Sequence, residues 1–169
     1  MDANVTQLQQ KDILFMREAL RCAELSAKNG EVPVGAVIVK DEQVLSRGYN
    51  RREQVKNALC HAELEAIAQA CRALGGWRLW QCTIYITLEP CPMCAGAIIN
   101  ARLKRVVFGA YDKKAGSCGS VVNLFDLPYN HKPKLTGGVL EPECSAVLRS
   151  FFKELRQKKV PDTSTGSNL

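Results

Sequence analysis

Thr83-Ile84-Tyr85-Ile86-Thr87-Leu88-Glu89-Pro90-Cys91-Pro92-Met93-Cys94 is the stretch on which the reading of this chain turns. Its first half is rich in β-branched and aromatic residues and predicts a strand over 83–88. Its second half predicts a helix over 92–101, because Pro92 suits a first helical turn, where no N–H need be bonded. Cys91 and Cys94, three residues apart, then share one face at the start of a helix that follows a strand directly. The positive end of the helix dipole favours two thiolates over two thiols there.

The chain on either side alternates strand and helix signals. Ile13, Leu14, Met16, Leu20, Ala23 and Ala27 recur at helical spacing over 11–28, and Asn29-Gly30 ends the run. Val34 to Val39 predicts a strand, Lys40-Asp41-Glu42 a turn, and 43–48 its hairpin return. A helix is expected over 58–73, ended by Gly75-Gly76, and a strand over 105–109. A loop over 115–120, a short apolar segment over 121–127 and a loop over 128–133 follow. A strand over 134–140 precedes a last helix with Pro142 in its first turn. Five strands interleaved with helices predict an α/β domain of three layers, α/β/α, around a mixed five-stranded sheet. With no repeat and no linker, residues 1–159 read as one domain and the polar tail 160–169 as disordered.

No run approaches the ~20 apolar residues of a membrane helix, so no membrane association is expected. The polar opening Met1 to Gln10 shows no signal-peptide core, which predicts a cytoplasmic protein whose eight cysteines are free or metal-bound. The net charge is +6, and its placement says more than its size. Basic residues gather at Arg47, Arg51, Arg52 and Lys56, at Arg102, Lys104 and Arg105, and at Lys113 and Lys114. Further groups are His131, Lys132 and Lys134, then Arg149, Lys153, Arg156, Lys158 and Lys159. Such clusters attract phosphates, although some are ordinary solvated faces.

Cys60-His61-Ala62-Glu63 supplies what the cysteine pair lacks. His61, Cys91 and Cys94 make three ligands for one Zn²⁺ and leave its fourth position for water, the pattern of a catalytic rather than a structural site. Zinc lowers the pKa of bound water toward ~7, and Glu63 is left over to take that proton, pass it to a ring nitrogen and protonate a departing amine. Mid-helix, His61 and Glu63 would point about 200° apart, so both reach one centre only from a helix start. A lone C-x-x-C or a lone H-x-E means little. Together, with no second cysteine pair to close a four-thiolate site, they point to catalysis. Cys60 stands beside His61, but the H-x-E spacing selects His61 as the ligand and Cys60 reads as a small buried neighbour, while Cys22, Cys71, Cys82, Cys118 and Cys144 read as packing residues.

With these motifs assembled, the chain resembles the bacterial tRNA-specific adenosine deaminases of the cytidine-deaminase-like superfamily, whose zinc signature is H-x-E…P-C-x-x-C. The resemblance covers about residues 11–157 and extends to Glu31 to Val37, Thr87 to Ile98, Arg105 to Ser120, Asn130-His131 and Phe151-Phe152. The chain departs from the family just before His61, where Leu59 and Cys60 replace a small hydroxyl residue and an alanine. The resemblance implies conversion of adenosine to inosine at the wobble position of an arginine tRNA anticodon stem-loop, by a homodimer with one zinc per subunit. By position it implies that Asn50 hydrogen-bonds the target nucleotide and that Val34 lines the base pocket. It further implies that Asp112 contacts a neighbouring ribose, that Asn130 and His131 contact nearby nucleotides, and that Phe152 borders the anticodon loop. Two other readings stand beside it. One is a zinc-dependent deaminase of a free purine such as guanine, and the other is a non-catalytic RNA-binding subunit, for which Glu63 would have no use.

Overall fold

A computed structural model describes residues 3–158, with side chains from Thr6 onward. The chain runs α1 (Ala3–Lys28), β1 (Gly35–Lys40), β2 (Gln43–Tyr49), α2 (Arg52–Val55), α3 (Ala62–Leu74), β3 (Thr83–Leu88) and α4 (Pro92–Asn100). It continues through β4 (Arg105–Ala110), a 3₁₀ turn at Leu124–Asp126, β5 (Lys134–Thr136) and α5 (Glu141–Lys158). The sheet order is β2-β1-β3-β4-β5, antiparallel on the β1 side and parallel from β3 to β5. The expected mixed five-stranded sheet is therefore present.

The strands alternate between two apolar layers, as a period of two requires. Ala36, Ile38, Ile84, Ile86, Val106 and Phe108 pack with residues of α3 and α4. Val37, Val39, Tyr85 and Val107 face the other way and pack with α1 and with Cys144 of α5. Because both faces are covered, β3 and β4 read as continuous apolar runs rather than as alternating ones. On the α3 side the approach is close: a Cβ at Gly48 would lie 2.0 Å from the Ala62 carbonyl oxygen.

Four boundaries differ from expectation, each for a local reason. Helix α1 begins at Ala3 rather than near residue 11, because 3–10 propagates helix without carrying an apolar stripe. Helix α3 begins at Ala62 rather than at 58, because the Asn57 side chain accepts from the Leu59 N–H and holds 57–60 in a turn. The short α2 lacks any buried residue and so leaves no periodic signal. Strand β5 stops at Thr136, before Gly138 and Leu140 with positive φ. The tail 160–169 lies outside the described residues.

This topology brings four connections to one end of the strands. Val34 enters β1 there, Asn50 leaves β2, Glu89 leaves β3 and Tyr111 leaves β4, since Gly35 pairs with Tyr49, Ala36 with Ile86 and Leu88 with Ala110. Helices α3 and α4 both start at that end.

Candidate metal centre

His61 and Cys91 are the N-cap residues of α3 and α4, both with extended backbone (φ −80°, ψ 151° and φ −73°, ψ 172°). The extended cap is what lets His61 and Glu63, two residues apart, serve one centre. His61 Nδ1 lies 3.8 Å from Cys91 Sγ and 3.6 Å from Cys94 Sγ, and the three candidate ligand atoms all lie within 4.8 Å of one another. A tetrahedral ion with zinc-like bonds of about 2.0–2.1 Å to nitrogen and 2.3 Å to sulfur separates such atoms by about 3.6 Å, so the cradle fits zinc. The Cys91 thiol is pushed down to about 4, first by the hydrogen bond from Cys94, with burial opposing and His61 assisting. Cys94 is pushed up in turn by that bond and by burial.

Glu63 is buried, and its Oε2 has no hydrogen-bond partner among the described residues. Burial pushes its carboxyl up to about 7, in the range that suits a proton carrier at neutral pH. A buried carboxylate oxygen left unsatisfied beside a metal cradle is costly unless something polar meets it there.

A cavity of about 200 Å³ opens over the cradle, lined among others by Val34, Asn50, His61, Glu63, Cys91 and Asp112. The structure thus brings seven of the ten expected residues, Cys94 included, to one place. Asn50 also ties the fold together: its Oδ1 accepts from the Ala62 N–H at 3.0 Å and its Nδ2 donates to the Val32 carbonyl at 3.1 Å. Asp112 Oδ1 accepts from the Lys114 and Ala115 N–H groups at 2.9 and 3.2 Å, which makes the loop turn.

Three expected residues lie elsewhere. His131 hydrogen-bonds the Leu103 carbonyl at 2.7 Å and sits edge-on to Trp80, before the starts of β4 and β3. That is the opposite end of the strands, roughly 17 Å of strand away from the cradle, so His131 does not reach the cavity of its own chain. Asn130 is exposed beside it. Phe152 lines a separate groove of about 570 Å³ on α5 with Lys114, Leu148, Arg149, Lys153 and Arg156. Of the basic clusters, Arg47, Arg51 and Arg105 are drawn into ion pairs with Glu18, Glu65 and Asp12, whereas Lys114 and the α5 cations share this groove.

Two polar residues of the cavity wall, Arg52 and Glu89, carried no site assignment in the sequence. Arg52, which the sequence placed only in a basic cluster, is exposed and lines the cavity; its place two residues after Asn50 was the further signal. Glu89, 2% exposed, lines the wall; its position just before Pro90-Cys91 was the available signal.

The chain is similar to several known deaminases. A family model described as MafB19-like deaminase matches residues 10–156. The chain is 47% identical over 150 residues to the tRNA-specific adenosine deaminase of Bacillus subtilis, covering 88% of this chain and 93% of that one. It is 42% identical to a solved structure from work on A-to-I editing by tRNA:A34 deaminases at the wobble position of transfer RNA, with a TM-score of 0.77 over 79% of this chain and 98% of the other. A guanine deaminase from Nitrosomonas europaea, 20% identical, shares the fold at a TM-score of 0.68 over 82% of this chain and 83% of that one.

Proposed function

The chain belongs to the family of the tRNA-specific adenosine deaminases, and from that premise we propose that it hydrolyses adenosine to inosine at the wobble position of a tRNA anticodon. The observation that carries this reading is a single cavity in which a buried carboxylate with a free oxygen adjoins a His–Cys–Cys cradle. His61, Cys91 and Cys94 would hold one zinc per chain, which supplies the Lewis acidity that makes water nucleophilic near neutral pH.

Glu63 does the proton work. As the water oxygen bonds to C6 of the purine, Glu63 accepts the water proton and delivers it to N1. It then takes the remaining hydroxyl proton to the exocyclic nitrogen as the C6–N bond breaks and ammonia leaves. Asn50 and Val34 hold the base, and Asp112 at the rim contacts the neighbouring ribose. A cavity of about 200 Å³ admits a base rather than a stretch of RNA, which suits a nucleotide splayed out of a loop. The groove on α5, with Phe152 and its cations, follows the flanking backbone. Residues 1–159 act as a single deaminase domain in a cytoplasmic homodimer on an arginine tRNA. Asn130 and His131, outside the cavity of their own subunit, contribute to RNA contacts only away from the target base.

Incubation with tRNA and, separately, with guanine, followed by nucleoside and base analysis, tests the reading. Inosine in the anticodon of tRNA is expected. Xanthine from guanine with no inosine in tRNA would overturn it.

A further inference from the structure

Two buried glutamates line one cavity, and they are bonded in opposite ways. Glu63 keeps a free oxygen. Glu89 has none to spare: Oε1 accepts from the Cys118 and Ser120 N–H groups at 3.0 Å each, and Oε2 accepts from the Asp112 N–H at 3.0 Å and from the Ser120 hydroxyl. A carboxylate offers about four lone-pair sites, and all are taken. The loop is built around the group, since a Cβ on Gly116 would lie 2.4 Å from the Glu89 carboxyl carbon. The Ser117 N–H also bonds the Pro90 carbonyl at 2.8 Å, so the loop is tied to the backbone next to the carboxylate as well as to the carboxylate itself.

We propose that Glu89 is a positioning residue for tRNA: its carboxylate clamps the 112–120 loop so that Asp112 stands at the cavity rim in its RNA-binding orientation. The inference rests on the function proposed above. Glu89 touches no substrate and carries no proton; it acts through Asp112.

Glu89→Gln retains the shape but places an amide nitrogen against backbone N–H donors, which it cannot accept. Zinc content per chain is expected to hold. Amide hydrogen exchange at Asp112, Cys118 and Ser120 should quicken about tenfold or more, the equivalent of one charge-assisted hydrogen bond, while β4 amides stay protected. KM for tRNA should rise by a similar factor with a smaller change in kcat. In that background Asp112→Asn should add little to KM, although it raises KM in the unaltered chain. Unchanged exchange in the loop, or fully additive effects of the two substitutions, overturns the proposal. If Glu89→Gln does not fold, Ser120→Ala removes one donor only and must show the same pattern in weaker form; unchanged exchange and KM there overturn it equally. An unaltered chain that forms no inosine in tRNA sinks the functional reading instead, while the exchange measurement still reads the clamp.

Discussion

Glu63 and His61 illustrate how position within a helix start sets chemistry at the level of single residues. Both belong to one short motif, yet only the extended backbone of His61 turns its imidazole toward Cys91 and Cys94 while Glu63 lies buried behind it. Under the proposed function, Glu63→Ala leaves one zinc per chain and lowers kcat by at least 10²–10⁴-fold, the usual worth of a positioned acid–base group. Metal analysis beside single-turnover deamination checks both halves. His61→Ala is expected to lose the metal, because two thiolates alone leave the ion underligated. Full zinc retention in that variant would assign the third ligand to Cys60.

The decisive contact among the secondary-structure elements is the one between β2 and α3. Gly48 meets the backbone at Ala62 and Ala66 so closely that a methyl group would sit 2.0 Å from the Ala62 oxygen and 2.7 Å from the Ala66 nitrogen. Helix α3 therefore cannot keep its place against any larger residue. Gly48→Ala is expected to cost about 1–3 kcal/mol of stability, and because Ala62 directly follows His61 it should also weaken zinc retention. Thermal unfolding and a chelator competition read the two effects; a stability loss with unaltered zinc affinity would mean that α3 yields elsewhere along its length.

Across the whole molecule, an ion pair between buried Asp12 and partly buried Arg105 joins the N-terminal helix to the far half of the sheet. Arg105 of β4 forks onto both oxygens of Asp12 in α1 at 2.7 Å and reaches Thr136 of β5 at 2.9 Å, while the Tyr85 hydroxyl donates to Asp12. Removing the carboxylate leaves the partly buried Arg105 without its partner, so Asp12→Ala should destabilise the fold by about 1.5–3 kcal/mol, seen as a fall in the denaturation midpoint. The basic groove of Lys114, Arg149, Lys153 and Arg156 acts over a longer range. If all four meet phosphates, log affinity for tRNA falls against log salt with a slope of roughly −3, and Lys153→Ala makes it shallower by about 0.7–0.9. A slope that does not change in that variant would show the groove to be a solvated face.

The chain's own order of residues determined what is local. The strand at 83–88, the helix that follows it, the hairpin and the ligand spacing all follow from periods of two and 3.6 and from the chemistry of Pro, Cys and His. These signals are complete within a dozen residues. Even the need for His61 and Glu63 to sit at a helix start was legible from the 3.6-residue turn. Only the tertiary structure decided what meets what. It joined His61 to cysteines 30 and 33 residues away. It closed the 112–120 loop on Glu89, gathered Lys114 with the cations of α5, and sent His131 to the far end of the strands. The reason is that these meetings depend on strand order and direction, β2-β1-β3-β4-β5 with one antiparallel and one parallel half. Order and direction are set by packing summed over the whole sheet, and no short stretch of residues carries them.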